Sequence, residues 1–251
     1  MAAEQNKLSE MFDYMGRQFA EKCTNCGECL RACPIFPLTK CAKKGPEAVI
    51  QKVTELLEGG DVSDEAYDMV FSCTGQCRVC DRACPEGLAL QTALMSAAAK
   101  LADAGKAPPE SIYQLTPGHH HSFTRVFGAL LSKPSEARWI DRVPDNPEPV
   151  DVVFFAGCGL TGLPHTFLEV VDILDRMKVN FVALAGGEIC CGATPILWGD
   201  LEASQKMGQE FVSAISAFSP KKAVFYCSGC HTLCLGMLPQ ITSIPDRKSV
   251  V

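Results

Sequence analysis

The placement of cysteine constrains this chain of 251 residues more than any other feature, because 15 of its residues are cysteines. Eight form two groups of four, each ending in Cys-Pro: Cys23, Cys26, Cys29 and Cys33, then Cys73, Cys77, Cys80 and Cys84. Five more stand in the second half as a single cysteine, a Cys-Cys-Gly and a Cys-x-x-Cys: Cys158, Cys190, Cys191, Cys227 and Cys230. Thiolates are soft ligands that suit iron–sulfur clusters, so this spacing predicts a protein that holds several of them.

A secreted disulfide framework is the obvious rival explanation for so many cysteines. The chain is long for such a scaffold and its cysteine count is odd. Its first 23 residues contain no apolar core of signal-peptide length, and no apolar run is long enough to span a bilayer. The net charge of -6 argues against binding to nucleic acid. We therefore expect a soluble protein of a reducing, cytoplasmic compartment, attached to a membrane at most through a partner.

Residues 1–105 are predicted to form a helical domain around the first two cysteine groups. Apolar residues recur at helical spacing before Cys23, from Leu8 to Phe19. A helix is predicted from Pro46 to Gly59-Gly60, a second from 61–63 to Cys73, and a third from Leu88 to Ala104.

Residues 106–150 are rich in proline and show no sustained period, which predicts a connecting segment. The three adjacent histidines within it, His119, His120 and His121, favour a polar loop over a metal site, because neighbouring side chains point in different directions.

Residues 151–251 alternate short apolar strands with amphipathic helices, which predicts a small parallel α/β sheet. Each predicted strand leads into a cysteine of the third group: Cys158, Cys190-Cys191 or Cys227. Because loops at the carboxyl ends of parallel strands converge, we expect these thiols to meet in space. The fold class predicted for the whole chain is α+β, a helical domain followed by a parallel-sheet domain.

The first group has the spacing C-x2-C-x2-C-x3-C-P, which two-cluster ferredoxins use with their fourth cysteine on the other cluster. This crossover assigns Cys23, Cys26, Cys29 and Cys84 to one 4Fe–4S cluster. It assigns Cys73, Cys77, Cys80 and Cys33 to the other. The second group departs from the pattern, since three residues instead of two separate Cys73 from Cys77. Structural zinc is the alternative cofactor for both groups.

The third group, a Cys, a Cys-Cys-Gly and a Cys-x-x-Cys at these separations, resembles the cysteine-rich CCG domain of the heterodisulfide reductase family. The helical two-cluster half resembles the small ferredoxin-like subunit of that family. Relatives include the iron–sulfur subunits of glycolate oxidase and anaerobic glycerol-3-phosphate dehydrogenase. The resemblance covers nearly the whole chain, but many relatives carry two CCG domains where this chain has one. It also ends soon after Cys230, so we expect a shortened domain or one completed by a partner.

The resemblance implies electron passage from two cubane clusters to a cluster at the CCG site. In relatives that site holds a noncubane 4Fe–4S cluster that cleaves a disulfide. An ordinary cubane or a zinc ion is the alternative, because a plain cubane needs only four of the five thiols. Cys41 and Cys234 are left over and are expected to be buried thiols. His231 is expected in an exposed loop, with proton donation to the cluster as the alternative.

The function expected is that of an electron-transferring component of an oxidoreductase complex. Its partner would be a flavoprotein, a hydrogenase-like module or a quinone-linked module. Two alternatives stay open at this point: a pure electron wire in which the CCG site is structural, and a redox sensor that acts through cluster loss. The residues do not decide whether the chain is itself an enzyme, and they name no catalytic residue.

Overall fold

The computed structural model describes residues 7–73, 77–108, 126, 130–133, 136, 138–140, 142–158, 163–185 and 189–236. The three adjacent histidines at 119–121 lie outside the described residues. Two compact units are present: residues 1–108 with 194–202, and residues 109–193 with 203–251.

The N-terminal unit is helical. Its helices are α1 (Lys7–Lys22), α2 (Glu28–Arg31), α3 (Pro46–Leu57), α4 (Asp64–Ser72), α5 (Val79–Ala83) and α6 (Leu90–Asp103), with two 3-10 turns at Phe36–Leu38 and Cys41–Lys44.

The predicted amphipathic faces form the core of this unit. In α1, the side chains of Leu8, Phe12 and Phe19 are buried. Its Gly16 lies against α6 so closely that a Cβ atom there would stand 2.2 Å from the hydroxyl oxygen of Ser96. The close approach of α1 and α6 therefore depends on a residue without a side chain.

The other long helices begin where the sequence predicts. Pro46 occupies the first turn of α3, where its missing N–H leaves no hydrogen bond unmade. Ser63 caps α4, its side-chain oxygen accepting a hydrogen bond of 3.1 Å from the backbone N–H of Ala66. Helix α4 then ends at Ser72, directly before Cys73.

The C-terminal unit is built on three parallel strands, β1 (Val152–Phe155), β2 (Phe181–Leu184) and β3 (Lys222–Phe225), in the order β2-β1-β3. The helices that follow residue 160 are α7 (Pro164–Arg176), α8 (Ala193–Leu197), α9 (Leu201–Ser216) and α10 (Ser228–Gly236). Residues 194–202, which include most of α8 and the start of α9, belong to the N-terminal unit.

The central strand β1 is buried along nearly its whole length, as expected for a parallel strand covered on both faces. Its register places Phe155 beside Leu184 of β2 and Phe225 of β3, so all three strands end at the same edge. The helical first half and the small parallel sheet confirm the predicted α+β class.

One contribution to the sheet comes from the proline-rich segment. Ile140 forms a parallel bridge with Leu184, donating its N–H to Ala183 and accepting from Ala185. Trp139 packs edge-on against Phe167, with ring centroids 5.2 Å apart. The end of this segment therefore covers the outer edge of β2.

None of the helices in the described part of the chain is long and apolar enough to cross a membrane.

Candidate metal centres

The first cysteine pocket lies in the N-terminal unit. It is lined by the first three cysteines of the first group together with the last cysteine of the second: Cys23, Cys26, Cys29 and Cys84. Apolar side chains, among them Phe19, Ile50 and Leu90, form most of the rest of its wall, together with Thr24 and Glu86. The structure therefore brings together the set of thiols that the crossover spacing predicts for one cluster.

Backbone geometry and two side chains hold the first pocket's loop. Gly27 adopts a left-handed conformation, with φ of 76°, and starts helix α2. Arg31 donates a hydrogen bond of 2.7 Å to the carbonyl oxygen of Cys26. Thr54 of α3 donates one of 3.1 Å to the amide oxygen of Asn25. These contacts stabilise the loop whose cysteines line the pocket.

The second pocket mirrors the first. Cys33 of the first group meets the three leading cysteines of the second group: Cys73, Cys77 and Cys80. The three residues that separate Cys73 from Cys77, 74–76, lie outside the described residues. Leu90, almost fully buried, lines both pockets, so one leucine side chain contributes to the wall of each.

A carboxylate organises the second pocket. Asp81 accepts a hydrogen bond of 3.1 Å from the backbone N–H of Gln91, in the first turn of α6. Its other oxygen pairs with Arg78 at 3.0 Å. The same side chain lies 3.5 Å from the sulfur of Cys80. Asp81 therefore ties α5, α6 and a cysteine together, and no sequence motif singles it out.

The third site gathers all five thiols of the third group at the carboxyl ends of the strands. The sulfurs of Cys191 and Cys230 lie 3.2 Å apart. Cys190 hydrogen-bonds to Cys158 and to Cys191, and Cys227 hydrogen-bonds to Cys230. The five sulfurs thus form one connected chain of contacts. All fifteen cysteines lie in the described part of the protein, and none of them forms a disulfide bond there.

Two glycines and a serine make this convergence possible. A Cβ atom on Gly157 would lie 2.8 Å from the Cβ of Cys227. Gly192 has φ of 87°, and a Cβ there would lie 2.4 Å from the carbonyl oxygen of Ser204. The buried hydroxyl of Ser204 donates a hydrogen bond of 2.7 Å to the carbonyl oxygen of Gly192. The glycine of Cys-Cys-Gly is therefore required by space and by backbone conformation.

Burial raises the pKa values of these thiols, and each sulfur–sulfur hydrogen bond raises the pKa of one partner and lowers that of the other. In the N-terminal pockets, burial raises the pKa of Cys29 and of Cys80 to about 12. In the third site, a hydrogen bond with Cys190 and burial raise the pKa of Cys158. Hydrogen bonding from Cys230 lowers the pKa of Cys227 to about 6.

The donor sets fit metal–sulfur cofactors. Each N-terminal pocket offers four sulfurs in a largely apolar wall, and four is the number that a cubane cluster requires. Ligating thiols must be deprotonated, and a bound cation supplies the stabilisation that burial removes. The third site offers five sulfurs, one more than a tetrahedral zinc ion or a cubane uses.

The two leftover cysteines are buried, as expected. The sulfur of Cys41 lies 3.1 Å from the hydroxyl oxygen of Thr39, within hydrogen-bonding distance, and Cys41 is absent from both N-terminal pockets. Cys234 lies one helical turn past Cys230 in α10, and burial raises its pKa to about 12. The expectation that His231 lies in an exposed loop is wrong: it is half-buried within α10, and its ring stands 6.1 Å from that of Phe225.

Comparison with known families agrees with this geometry. Residues 19–88 match the family model of the 4Fe-4S dicluster domain, and residues 152–233 match that of the cysteine-rich domain CCG. The chain therefore carries a dicluster iron–sulfur domain followed by a CCG domain, which confirms the predicted family. No solved structure matches the chain.

The chain is homologous to components of known redox enzymes. It is 22% identical to one subunit of the dihydromethanophenazine:CoB–CoM heterodisulfide reductase of Methanosarcina acetivorans, over 84% of this chain and 55% of the relative. The corresponding Methanosarcina mazei protein gives the same values. Against the glycolate oxidase iron–sulfur subunit of Escherichia coli, identity is 27% over 68% of this chain and 46% of the relative. The chain thus spans about half the length of these relatives.

Proposed function

We propose that this chain transfers electrons through two 4Fe–4S cubanes to a third iron–sulfur cluster, where a disulfide is reduced. The first cubane would be held by Cys23, Cys26, Cys29 and Cys84, and the second by Cys33, Cys73, Cys77 and Cys80. The third cluster, of noncubane form, would be held by Cys158, Cys190, Cys191, Cys227 and Cys230.

The observation that carries this proposal is the connected set of five sulfurs in the third site. Four thiolates satisfy a cubane or a zinc ion, so a fifth suits a larger, more open cluster or one with a displaceable ligand. That surplus separates this site from the two four-sulfur pockets.

The N-terminal unit supports a relay. Its two pockets share Leu90 as a wall, so one side chain stands where both cofactors would be bound. Cys29 and Cys80 are buried, whereas Cys77 is exposed, and solvent exposure is one of the factors that set cluster potentials. Iron–sulfur clusters supply reversible electron acceptance over a wide range of potentials when bound.

Reduction of a disulfide needs two electrons and two protons, and it yields two thiols. The five connected sulfurs of the third site would hold the cluster at which electrons reach the disulfide. The Methanosarcina relatives belong by name to a heterodisulfide reductase, which supports disulfide chemistry here.

The ligand assignment is tested by removing one sulfur of the third site. In anoxically purified protein, Cys191→Ala should alter the EPR signal of the third cluster and leave both cubane signals unchanged. Cys41→Ala removes a buried thiol that lines neither N-terminal pocket, so it is the matched control and should alter no signal. Loss of all three signals in Cys191→Ala would contradict independent sites.

The reaction is tested separately by reoxidation. When reduced protein is mixed with a thiol disulfide, its clusters should be reoxidised at the rate at which thiols appear, with two thiols released per disulfide. Three assembled clusters without reoxidation by any disulfide would favour the electron wire, in which the third site is structural.

Electron supply requires a partner, because the relatives that the chain matches are named as subunits. We propose a flavoprotein, a hydrogenase-like module or a quinone-linked module as the donor. Anoxic co-purification from the native source identifies which of the three accompanies the chain.

A further inference from the structure

The two N-terminal pockets are built on an internal repeat whose positions can be compared. The repeat runs from Cys26 to Ile35 and from Cys77 to Glu86, and both copies share the pattern C-x2-C-x3-C-P-x. Gly27 and Arg78 occupy the same place in the two copies. Both start a short helix from the left-handed region, with φ of 76° and 52°.

The repeat copies differ in charge where they line the pockets. The first pocket has Gly27 after its second cysteine and Glu86 after its Cys-Pro step. The second has Arg78 and Ile35 at the corresponding positions. The first pocket is therefore the more negative of the two. It has a neutral glycine and an acidic residue where the second pocket has a basic residue and a neutral isoleucine.

The charged residues around the two pockets differ in the same direction, with more negative charge around the first pocket than around the second. Around the first pocket, Arg31 contacts the Cys26 carbonyl but is paired with two carboxylates, Glu28 and Glu47. Around the second, Arg78 is paired with the single carboxylate of Asp81. Together with Glu86, which lines the first pocket, three carboxylates and one guanidinium stand around that pocket, whereas one of each stands around the second, where Asp81 lies 3.5 Å from the sulfur of Cys80.

The conformation of Arg78 points to a role for its charge. A left-handed backbone strains any residue that carries a Cβ, and Gly27 avoids that strain at the equivalent position. Arginine at this place costs backbone energy and contributes a cation beside the cysteines. Strain retained beside a binding site is a physical reason to look for function there.

We propose that these charges give the second cluster the higher reduction potential, so that an electron leaves the reduced first cluster for the oxidised second one. The inference rests on the proposed function, since it requires both cubanes. Negative charge near a cluster disfavours its reduced, more negative state, and positive charge favours it. Solvent screens the charges of Arg78 and Glu86, because both side chains are exposed. The two charges therefore make only a small adjustment to the reduction potentials of the two clusters.

The test is a redox titration of the full chain monitored by EPR. Cys29→Ser and Cys80→Ser assign the two cubane signals, each altering one. We expect the second signal to appear at the higher potential. Arg78→Gln should move its midpoint to lower potential and leave the first signal unchanged, and Glu86→Gln should move only the first, to higher potential.

Two further variants separate charge from backbone strain. Arg78→Lys keeps the cation and should keep the potential, whereas Arg78→Gly relieves the strain, removes the cation and should behave like Arg78→Gln. Arg138→Gln is the matched control, because it breaks ion pairs with Asp172 and Asp175 in the C-terminal unit. It should move neither cubane.

Contrary outcomes have distinct meanings. Two assembled cubanes with equal or inverted potentials, or an unchanged second potential in Arg78→Gln, would overturn this inference and leave the proposed function standing. Protein that binds no iron under anoxic reconstitution would overturn the proposed function itself.

Discussion

Non-cysteine residues decide whether the thiols of the third site can meet. Gly192 shows this most clearly, because its left-handed backbone brings the Cys-Cys pair against Ser204 with no room for a side chain. Gly157 makes equivalent room beside Cys227. The third site therefore depends on the residues next to its cysteines as well as on the cysteines, because these small neighbours leave the space in which the thiols meet.

Gly192→Ala should therefore empty the third site while the two cubanes assemble. The new Cβ would lie 2.4 Å from the carbonyl oxygen of Ser204 and must displace backbone. Iron analysis should fall from about 12 to about 8 atoms per chain, the loss of one four-iron cluster.

Gly59→Ala is the matched control for that substitution. Gly59 has a similar φ of 95°, but a Cβ there would meet no atom within 4 Å. It carries the same kind of backbone strain without the clash, so its iron content should stay at the unmodified level. Equal iron loss in both variants would show that strain alone, and not the contact with Ser204, controls the third site.

At the scale of elements, helix ends place the cysteines. Helix α4 begins at the Ser63 cap, buries Met69 and Val70, and stops immediately before Cys73. The cap therefore contributes to fixing where the second group of cysteines starts, at the far end of this helix.

Ser63→Ala should lower stability by about 1 kcal/mol, the usual value of an N-cap hydrogen bond. For a chain of this size that corresponds to a thermal midpoint about 2–4 °C lower. Circular dichroism of the anoxic protein measures it. Ser63→Asp keeps an acceptor at the cap and should retain the midpoint; an equal fall in both variants would contradict a capping role.

The sequence predicts the long elements because each contains its own signal. The apolar spacing of α1, the Pro46 start of α3 and the strand–cysteine junctions of the third group are all local patterns. The short helices α2 and α5 escape prediction, since they start from left-handed residues and are stabilised by distant groups. Ile140 joins the sheet through a contact with Leu184, far along the chain, which no local pattern reveals.

The same distinction applies to the sites. Cysteine spacing identifies the thiols, and the structure brings Cys84 to the first three cysteines and Cys33 to Cys73, Cys77 and Cys80. Asp81, Arg78 and Ser204 act on the sites through contacts that only the folded chain defines. Their roles toward bound clusters, like the ligand assignments, stay predictions.

At the scale of the whole molecule, the chain combines a helical unit that contains two four-thiol pockets with a sheet unit whose site contains five thiols. Thirteen of the fifteen cysteines lie in three sulfur sites, two lined by four thiols and one connecting five. The remaining two are also buried: Cys41 lines neither N-terminal pocket, and Cys234 lies one helical turn past Cys230. Both are expected to pack as small apolar groups.

The most direct measurement of the central claim is the metal and acid-labile sulfide content of the anoxically purified full chain. Three four-iron clusters require about 12 iron atoms and an equal amount of sulfide per chain. A protein with about 8 iron atoms and an empty third site, or one holding zinc in place of iron, would contradict the account.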